Sequence, residues 1–243
     1  GMAVLYVVGC LVVIGINLDQ VPAAFAAIFQ GAFTAEGVQG GVLGALIQGF
    51  RRAAFSNEAG LGSAAIAHSA VRTRDPVTEG FVALWEPFID TVVICTMTAL
   101  VIIISGELAA LHGSAVGGTA QGVQLTSQAF ATVSSWFPYL LTVVVFLFAY
   151  STMITWAYYG AKAAGYLTGE SRVVQVLFNV VFMVMAVIGS TVSLGSLIDF
   201  ADSLLFLMAI PNLVGVYLLM PVVKRDLADY LARLRSGEIR ATR

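Results

Sequence analysis

The sequence predicts an all-α polytopic membrane protein, and three observations carry that prediction. Of its 243 residues, 59% are hydrophobic and 11% charged, with a mean hydropathy of +0.91, more apolar surface than a soluble core can use. Apolar runs near the ~20 residues that a bilayer requires recur six times along the chain. Between them, Lys and Arg fall on alternate connections, the asymmetry expected of membrane topology. A net charge of −2 with no basic stripe outside the C-terminal tail argues against nucleic acid as a partner.

The runs lie at about 2–18, 41–71, 80–105, 135–165, 173–193 and 197–223. The first follows Gly1-Met2 directly and lacks the pattern of a secretory signal peptide, as in a fragment that starts inside or just before a membrane helix. Cys10 and Cys95 sit in apolar helical runs and read as buried structural thiols, not as a disulfide or a metal pair.

The second run is the most informative. Gly41 to Phe50 is apolar and glycine-rich, and Ala64 to Val71 is small and mostly apolar, but Phe55-Ser56-Asn57-Glu58-Ala59-Gly60-Leu61-Gly62-Ser63 places polar and helix-breaking residues between them. Backbone that leaves helical pairing at membrane depth is tolerated only where protein or a water-filled cavity satisfies it, so an interrupted helix marks a ligand or ion site. The competing reading is a kink that packs small residues tightly between helices.

Arg51 and Arg52 lie just before the break, where an unpaired charge costs ~2.5 kcal/mol or more. Glu58, Glu86, Asp90, Asp199 and Asp202 are the available partners. The deduced topology puts Asp199 and Asp202 on the side of the arginine pair, as a structural ion pair or as an outer gate. His68, near the opposite end of the run, reads as a polar interfacial histidine, with a proton site as the sharper alternative.

The third run carries Asp90, an acid at a depth where function is the default reading. Gly106 to Ser134 is too polar to span, yet Val123, Phe130 and Val133 recur among its polar residues, which suggests a re-entrant or surface helix with Val116 to Thr119 as its most flexible point. In the fourth run, Ser151 and Thr152 are neighbouring hydroxyls and Trp156 shares a face with Thr152 at i, i+4. Hard oxygen donors suit Na⁺; hydroxyls bonded back to their own helix are the ordinary alternative. In the sixth run Pro211 predicts a kink, with Asn212 satisfying the freed carbonyls.

After Lys224, Leu227, Tyr230, Leu231 and Leu234 recur at helical spacing, fitting an interfacial helix or a solvated tail. The chain therefore divides into a transmembrane bundle over 1–223 and a tail over 224–243. Arg72 and Arg74, Lys162 and Arg172, and the basic residues from Lys224 onward share one side, while the opposite connections carry Asp19, Glu36 and Glu107. That side is predicted to be cytoplasmic, with the first helix running outward and the C-terminus inside, in a multi-pass protein of the cell (inner) membrane.

Arg52 through Ala70, R-A-A-F-S-N-E-A-G-L-G-S-A-A-I-A-H-S-A, resembles the signature of the alanine or glycine:cation symporter (sodium:alanine symporter) family. Glu86-Pro-Phe-Ile-Asp-Thr91, Tyr150 to Gly160, and Asp202 to Asn212 are similar to later blocks of the same family. The resemblance implies the second half of a leucine-transporter-type inverted-repeat fold, with the six runs as core helices 5 to 10. The family's earlier Gly-Asn-rich segment, which cradles substrate and sodium in core helix 1, has no counterpart in this sequence. The N-terminal half of the same transporter is therefore an implied partner, and this polypeptide alone is not expected to transport.

The implied activity is symport of a small neutral amino acid, alanine or glycine, driven by a Na⁺ or H⁺ gradient, with no enzyme chemistry and no organic cofactor. Half-helix ends aim N–H groups at a carboxylate and carbonyls at an ammonium or Na⁺, and Gly60 and Gly62 permit close approach. Phe55, Ser56, Asn57 and Gly60 would then line the substrate, while Glu58 orients the unwound backbone, accepts a hydrogen bond or carries a proton. Asp90 would support the break rather than touch ligand, and Arg52 with Asp202 would gate. On the family pattern Ser151 and Thr152 resemble the second sodium site, and Trp156 would shrink the pocket.

Two rival classes compete with a transporter. A channel would also line a pore with polar breaks. An intramembrane serine hydrolase would need Ser63 and His68 together, but five residues along a helix set them roughly 140° apart.

Overall fold

The computed structural model describes residues 1–33, 41–106 and 122–239, and every regular element among them is helical. We number the helices α1 (Met2–Ile16), α2 (Val21–Phe33), α3 (Gly41–Asn57), α4 (Ser63–His68), α5 (Pro76–Ile104), α6 (Gly122–Ala131), α7 (Phe137–Leu167), α8 (Arg172–Gly189) and α9 (Leu194–Arg235). Within these residues α5, α7, α8 and the bulk of α9 are long and apolar enough to cross a membrane. A fifth span arises if the bent pair α1–α2 is taken as one. The protein is accordingly a multi-pass membrane protein of all-α class.

Hydropathy places α1, α5, α7 and α8 close to their observed bounds, because long apolar runs have no other stable form in lipid; it places the start of α9 but not its end, which runs twelve residues past 223 to Arg235. It overlooks α2. The chain bends by 82° after Ile16, through the turn Leu18–Gln20, and re-enters a helix that is apolar but for Gln30. Asp19 marks the turn, and the alanine-rich run behind it is short enough to pass for a connection. Of the segment Gly106 to Ser134, the part Gly122–Ala131 is a helix. The expected flexible point at Val116 to Thr119 lies outside the described residues, as do Glu36, Glu107, Arg240 and Arg243.

The best-packed region joins α1, α5, α6 and α7. Cys10, Val13, Val101, Phe130, Phe137 and Leu141 bury one another there, and Tyr6 shares a 2.6 Å hydrogen bond with Thr98 across α1 and α5. Phe130 lies against Gly9, where a Cβ would come within 3.2 Å of its ring. Cys95 departs from expectation, since it is exposed. A membrane helix can leave an apolar residue outward because its surroundings are themselves apolar.

α7 and α8 form an antiparallel hairpin. Phe178 seats on Gly160 so closely that a Cβ would stand 2.0 Å from the ring, the small-residue contact by which membrane helices approach. α8 buries none of its residues within the chain.

α9 runs 42 residues through both Pro211 and Pro221, about 63 Å at 1.5 Å per residue, roughly twice a hydrocarbon core. Near its start Asp199 and Asp202 meet Arg51 of α3, and near its end Arg233 meets Asp75, the residue that precedes α5, at 2.5 Å. α9 continues past Lys224 as far as Arg235, and Tyr230 packs on Phe81 of α5 with ring centroids 6.2 Å apart.

Candidate substrate and ion site

The broken helix is explained residue by residue. α3 ends at Asn57, whose side-chain oxygen accepts from the Ala59 backbone N–H at 3.0 Å and so competes with the next helical turn. Glu58, Gly60 and Gly62 follow with φ of +54°, +82° and +96°. Glycine adopts that region freely, but for a side-chain-bearing residue such as Glu58 it is costly, and such outliers cluster at functional sites. Leu61 and Ser63 are buried at the restart.

Two helices hold the break open. The Asn57 amide donates to the Thr91 hydroxyl at 3.0 Å, and the Asn212 amide donates to the Gly60 carbonyl at 2.9 Å. Asn212 therefore satisfies a carbonyl of the broken helix, not one freed by Pro211 as the sequence suggests. Thr91 belongs to a π-helical stretch, Phe88–Ile94, inside α5. The extra residue per turn in such a stretch re-aims side chains and is common at functional sites. Asp90, in the same stretch, has one buried carboxylate oxygen without a hydrogen-bond partner among the described residues. Support from α5 thus comes through Thr91, next to Asp90.

On the other side of the break, a cavity of ≈ 190 Å³ opens between α3–α4 and α7. Ser56, Glu58 and Ala64 face Ser151, Thr152, Trp156 and Tyr159 across it, with Glu86 at its rim. Thr155 bonds back to the Ser151 carbonyl at 2.9 Å, whereas no such back-bond from Ser151 or Thr152 is found among the described residues. Of the residues predicted to line substrate, Ser56 and Trp156 stand in this cavity together with the hydroxyl pair. Asn57 faces the opposite cavity, Phe55 is half-exposed beneath the Arg52 guanidinium at 5.7 Å, and Gly60 is engaged through its carbonyl with Asn212.

The arginine pair converges on one carboxylate. Arg51 donates to a single Asp202 oxygen through Nε at 3.1 Å and Nη2 at 2.8 Å, and Arg52 donates to that same oxygen. Asp199 takes a longer contact of 3.5 Å from Arg51. The Asp202 side chain is 4% exposed against 79% for Asp199, so the buried acid carries the neutralisation.

The hydrolase reading fails on geometry. Both His68 ring nitrogens meet glutamate oxygens, while the Ser63 hydroxyl is buried with no hydrogen-bond partner among the described residues. No nucleophile–base contact exists between them.

The helix expected to span over 41–71 is broken at Asn57–Gly62, and its halves are not among the segments long and apolar enough to cross a membrane within the described residues; the break is held by two neighbouring helices and faces hydroxyls on a third, an arrangement of the kind that secondary transporters use. The chain belongs to the sodium:alanine symporter family, whose model matches residues 1–243; this is a transporter family, not an enzyme family. It is 39% identical to the sodium/alanine symporter AgcS of Methanococcus maripaludis over 223 residues, 91% of this chain and 48% of that protein. It is 36% identical to the probable sodium/glutamine symporter GlnT of Bacillus subtilis over 239 residues, 98% of this chain and 48% of that protein. A sodium/proton-dependent alanine carrier protein of Bacillus sp. strain PS3 is 28% identical over 248 residues, covering 98% and 56%. The chain spans about half the length of the curated relatives it matches.

Proposed function

We propose that these residues serve a secondary active symporter that moves a small neutral amino acid, alanine or glycine, on a Na⁺ gradient. The observation that carries the reading is the cavity in which the broken helix meets Ser151, Thr152 and Trp156. At ≈ 190 Å³ it is smaller than the ~300 Å³ at which drug-sized pockets begin. The hydroxyls of Ser151 and Thr152 supply hard donors for Na⁺. Ser56 and the exposed backbone of the break offer polar contacts to the amino acid's charged ends, and the Trp156 indole limits side-chain size. Two relatives named for alanine transport agree with this substrate. The relative named for glutamine makes a larger side chain the principal competitor.

The same reading places the helices as core helices 5 to 10 of a leucine-transporter-type inverted repeat, alternating access by rocking α3–α4 against α7. Arg51 and Arg52 on Asp202 close the outer side, and the basic residues of α9 favour a cytoplasmic C-terminus in a protein of the inner membrane. A 42-residue α9, too long to lie within a bilayer, supports a helical extension beyond it.

The test is uptake of radiolabelled alanine by the complete transporter reconstituted in liposomes. Saturable accumulation that requires an inward Na⁺ gradient supports symport. Flux that rises linearly with concentration and ignores Na⁺ supports a channel and overturns it.

A further inference from the structure

His68 closes α4 and stands between two acids. Its Nδ1 is 2.7 Å from a Glu79 oxygen and its Nε2 is 3.0 Å from a Glu86 oxygen. A neutral imidazole has one N–H, and ionised carboxylates only accept. With both glutamates ionised and the ring neutral, one of the two contacts would set a nitrogen lone pair against a carboxylate. Satisfying both contacts requires one proton more than that state holds. The imidazole is the natural carrier, since its ordinary pKa lies about two units above that of a glutamate.

Glu86 has a second position of importance. It lines the ≈ 190 Å³ cavity that contains Ser151 and Thr152, and also a larger cavity of ≈ 670 Å³ shared with His68 and Glu79 on the other side of α4. The His68–Glu86 contact therefore stands on the boundary between the two spaces. Other charged groups nearby are Glu58, at the break on the smaller cavity; Asp75, already engaged by Arg233; and Lys162 on α7, which sits over the Tyr158 ring. Tyr159 of α7 contributes a phenol to the smaller cavity.

We propose that His68, Glu79 and Glu86 form a proton-binding site whose occupancy controls the charge that Glu86 presents to the cation cavity. When His68 takes up a proton from water in the larger cavity, the imidazolium donates to both acids and neutralises Glu86. When the proton leaves, His68 keeps a single N–H. It stays on Glu79, the shorter contact and the less exposed acid at 18% against 54%, and releases Glu86. The freed carboxylate then raises cation affinity in the neighbouring cavity, so that proton and cation binding oppose each other. The cation part of this inference rests on the symport reading; the proton site does not.

Two measurements on the complete transporter test it. Nitrogen NMR of isotope-labelled histidine, with the His68 signal assigned by its loss in His68→Gln, should show both ring nitrogens protonated at neutral pH. In Glu79→Gln the amide can donate to a bare Nδ1, so the ring should become neutral while Nε2–H still holds Glu86. A neutral His68 ring in the wild type would overturn the proposal. The second measurement is the Na⁺ concentration for half-maximal thermal stabilisation in detergent. In the wild type it should fall by about 3- to 10-fold from about pH 6 to about pH 8.5, across the imidazole range.

Both variants should lose that pH dependence, but in opposite senses. His68→Gln should hold the high affinity of alkaline wild type, and Glu79→Gln the low affinity of acid wild type. Variants that both weaken alike, or that keep the wild-type pH profile, would show a structural role only and overturn the coupling. An imidazolium at position 68 in a protein that Na⁺ stabilises at no pH would leave the proton site standing and remove the symport reading instead.

Discussion

The side-chain amide of Asn212 donates to the backbone carbonyl of Gly60 at 2.9 Å across 152 residues of sequence, and a Cβ added to Gly62 would come within 3.2 Å of the Asn212 side-chain oxygen. α9 thus holds the unwound segment by contact and by hydrogen bond at once. Asn212→Ala should destabilise the protein by about 0.5–1.5 kcal/mol, the net worth of one hydrogen bond. Gly62→Ala should cost at least as much, because an alanine at φ +96° is strained by roughly 1–2 kcal/mol before the contact with Asn212 is counted. Thermal unfolding in detergent checks both, and wild-type melting in either variant would contradict the role given to Asn212.

A hydroxyl lost from a cation site weakens binding of an ion that has already shed water. Thr152→Ala and Ser151→Ala should each raise the Na⁺ concentration for half-maximal uptake, by roughly 10-fold if the ligand contributes about 1.4 kcal/mol. Thr155→Ala is the control, since its hydroxyl is committed to the Ser151 carbonyl; it should change sodium dependence least. Equal sodium titrations in all three variants would move the ion site off α7.

Trp156 lines the small cavity beside the hydroxyl pair. Replacing it with leucine should admit larger amino acids and weaken alanine or glycine, because the smaller side chain leaves part of the apolar wall open. Discrimination between small and large substrates should shift by about 1–3 kcal/mol, the scale on which an apolar pocket distinguishes ligands that differ by a methylene. Competition of alanine uptake by leucine, methionine and glutamine reads the change. An inhibition profile identical to wild type would place the indole outside the substrate's reach.

Asp202 and Asp199 allow a graded comparison within one helix turn. Asp202 is buried and receives both arginines, whereas Asp199 is exposed with one long contact. Asp202→Asn should impair folding or transport strongly, as expected when a buried pair loses one partner. Asp199→Asn should stay within about 0.5 kcal/mol of wild type. A charge-exchanged Arg52→Asp, Asp202→Arg variant should recover part of what either single change loses. The reverse ranking of the two asparagine variants would overturn the pairing.

Much of this arrangement is legible in the chain. Long apolar runs announce spans because lipid leaves the backbone few alternatives, and Asn57 to Gly62 announces a break because three residues there favour or tolerate positive φ. The cost of an unpaired charge points Arg51 and Arg52 toward Asp199 and Asp202. What stays hidden depends on tertiary contact. Thr91 and Asn212 are ordinary polar residues until α5 and α9 bring them to the break. Glu79 and Glu86 share a face of α5 at i, i+7, but His68 belongs to α4, and only the turn between the two helices brings it to them. The helix Val21–Phe33 reads as a connection because its span is completed only by a bend.

Symport requires that amino acid and cation cross together, so the most direct measurement is reciprocal coupling in liposomes holding the complete transporter. Radioactive sodium entry should be stimulated by external alanine, and alanine entry by external Na⁺, each saturating in the other and each reduced by Thr152→Ala. Sodium entry indifferent to alanine, with alanine entry indifferent to sodium, would contradict the account.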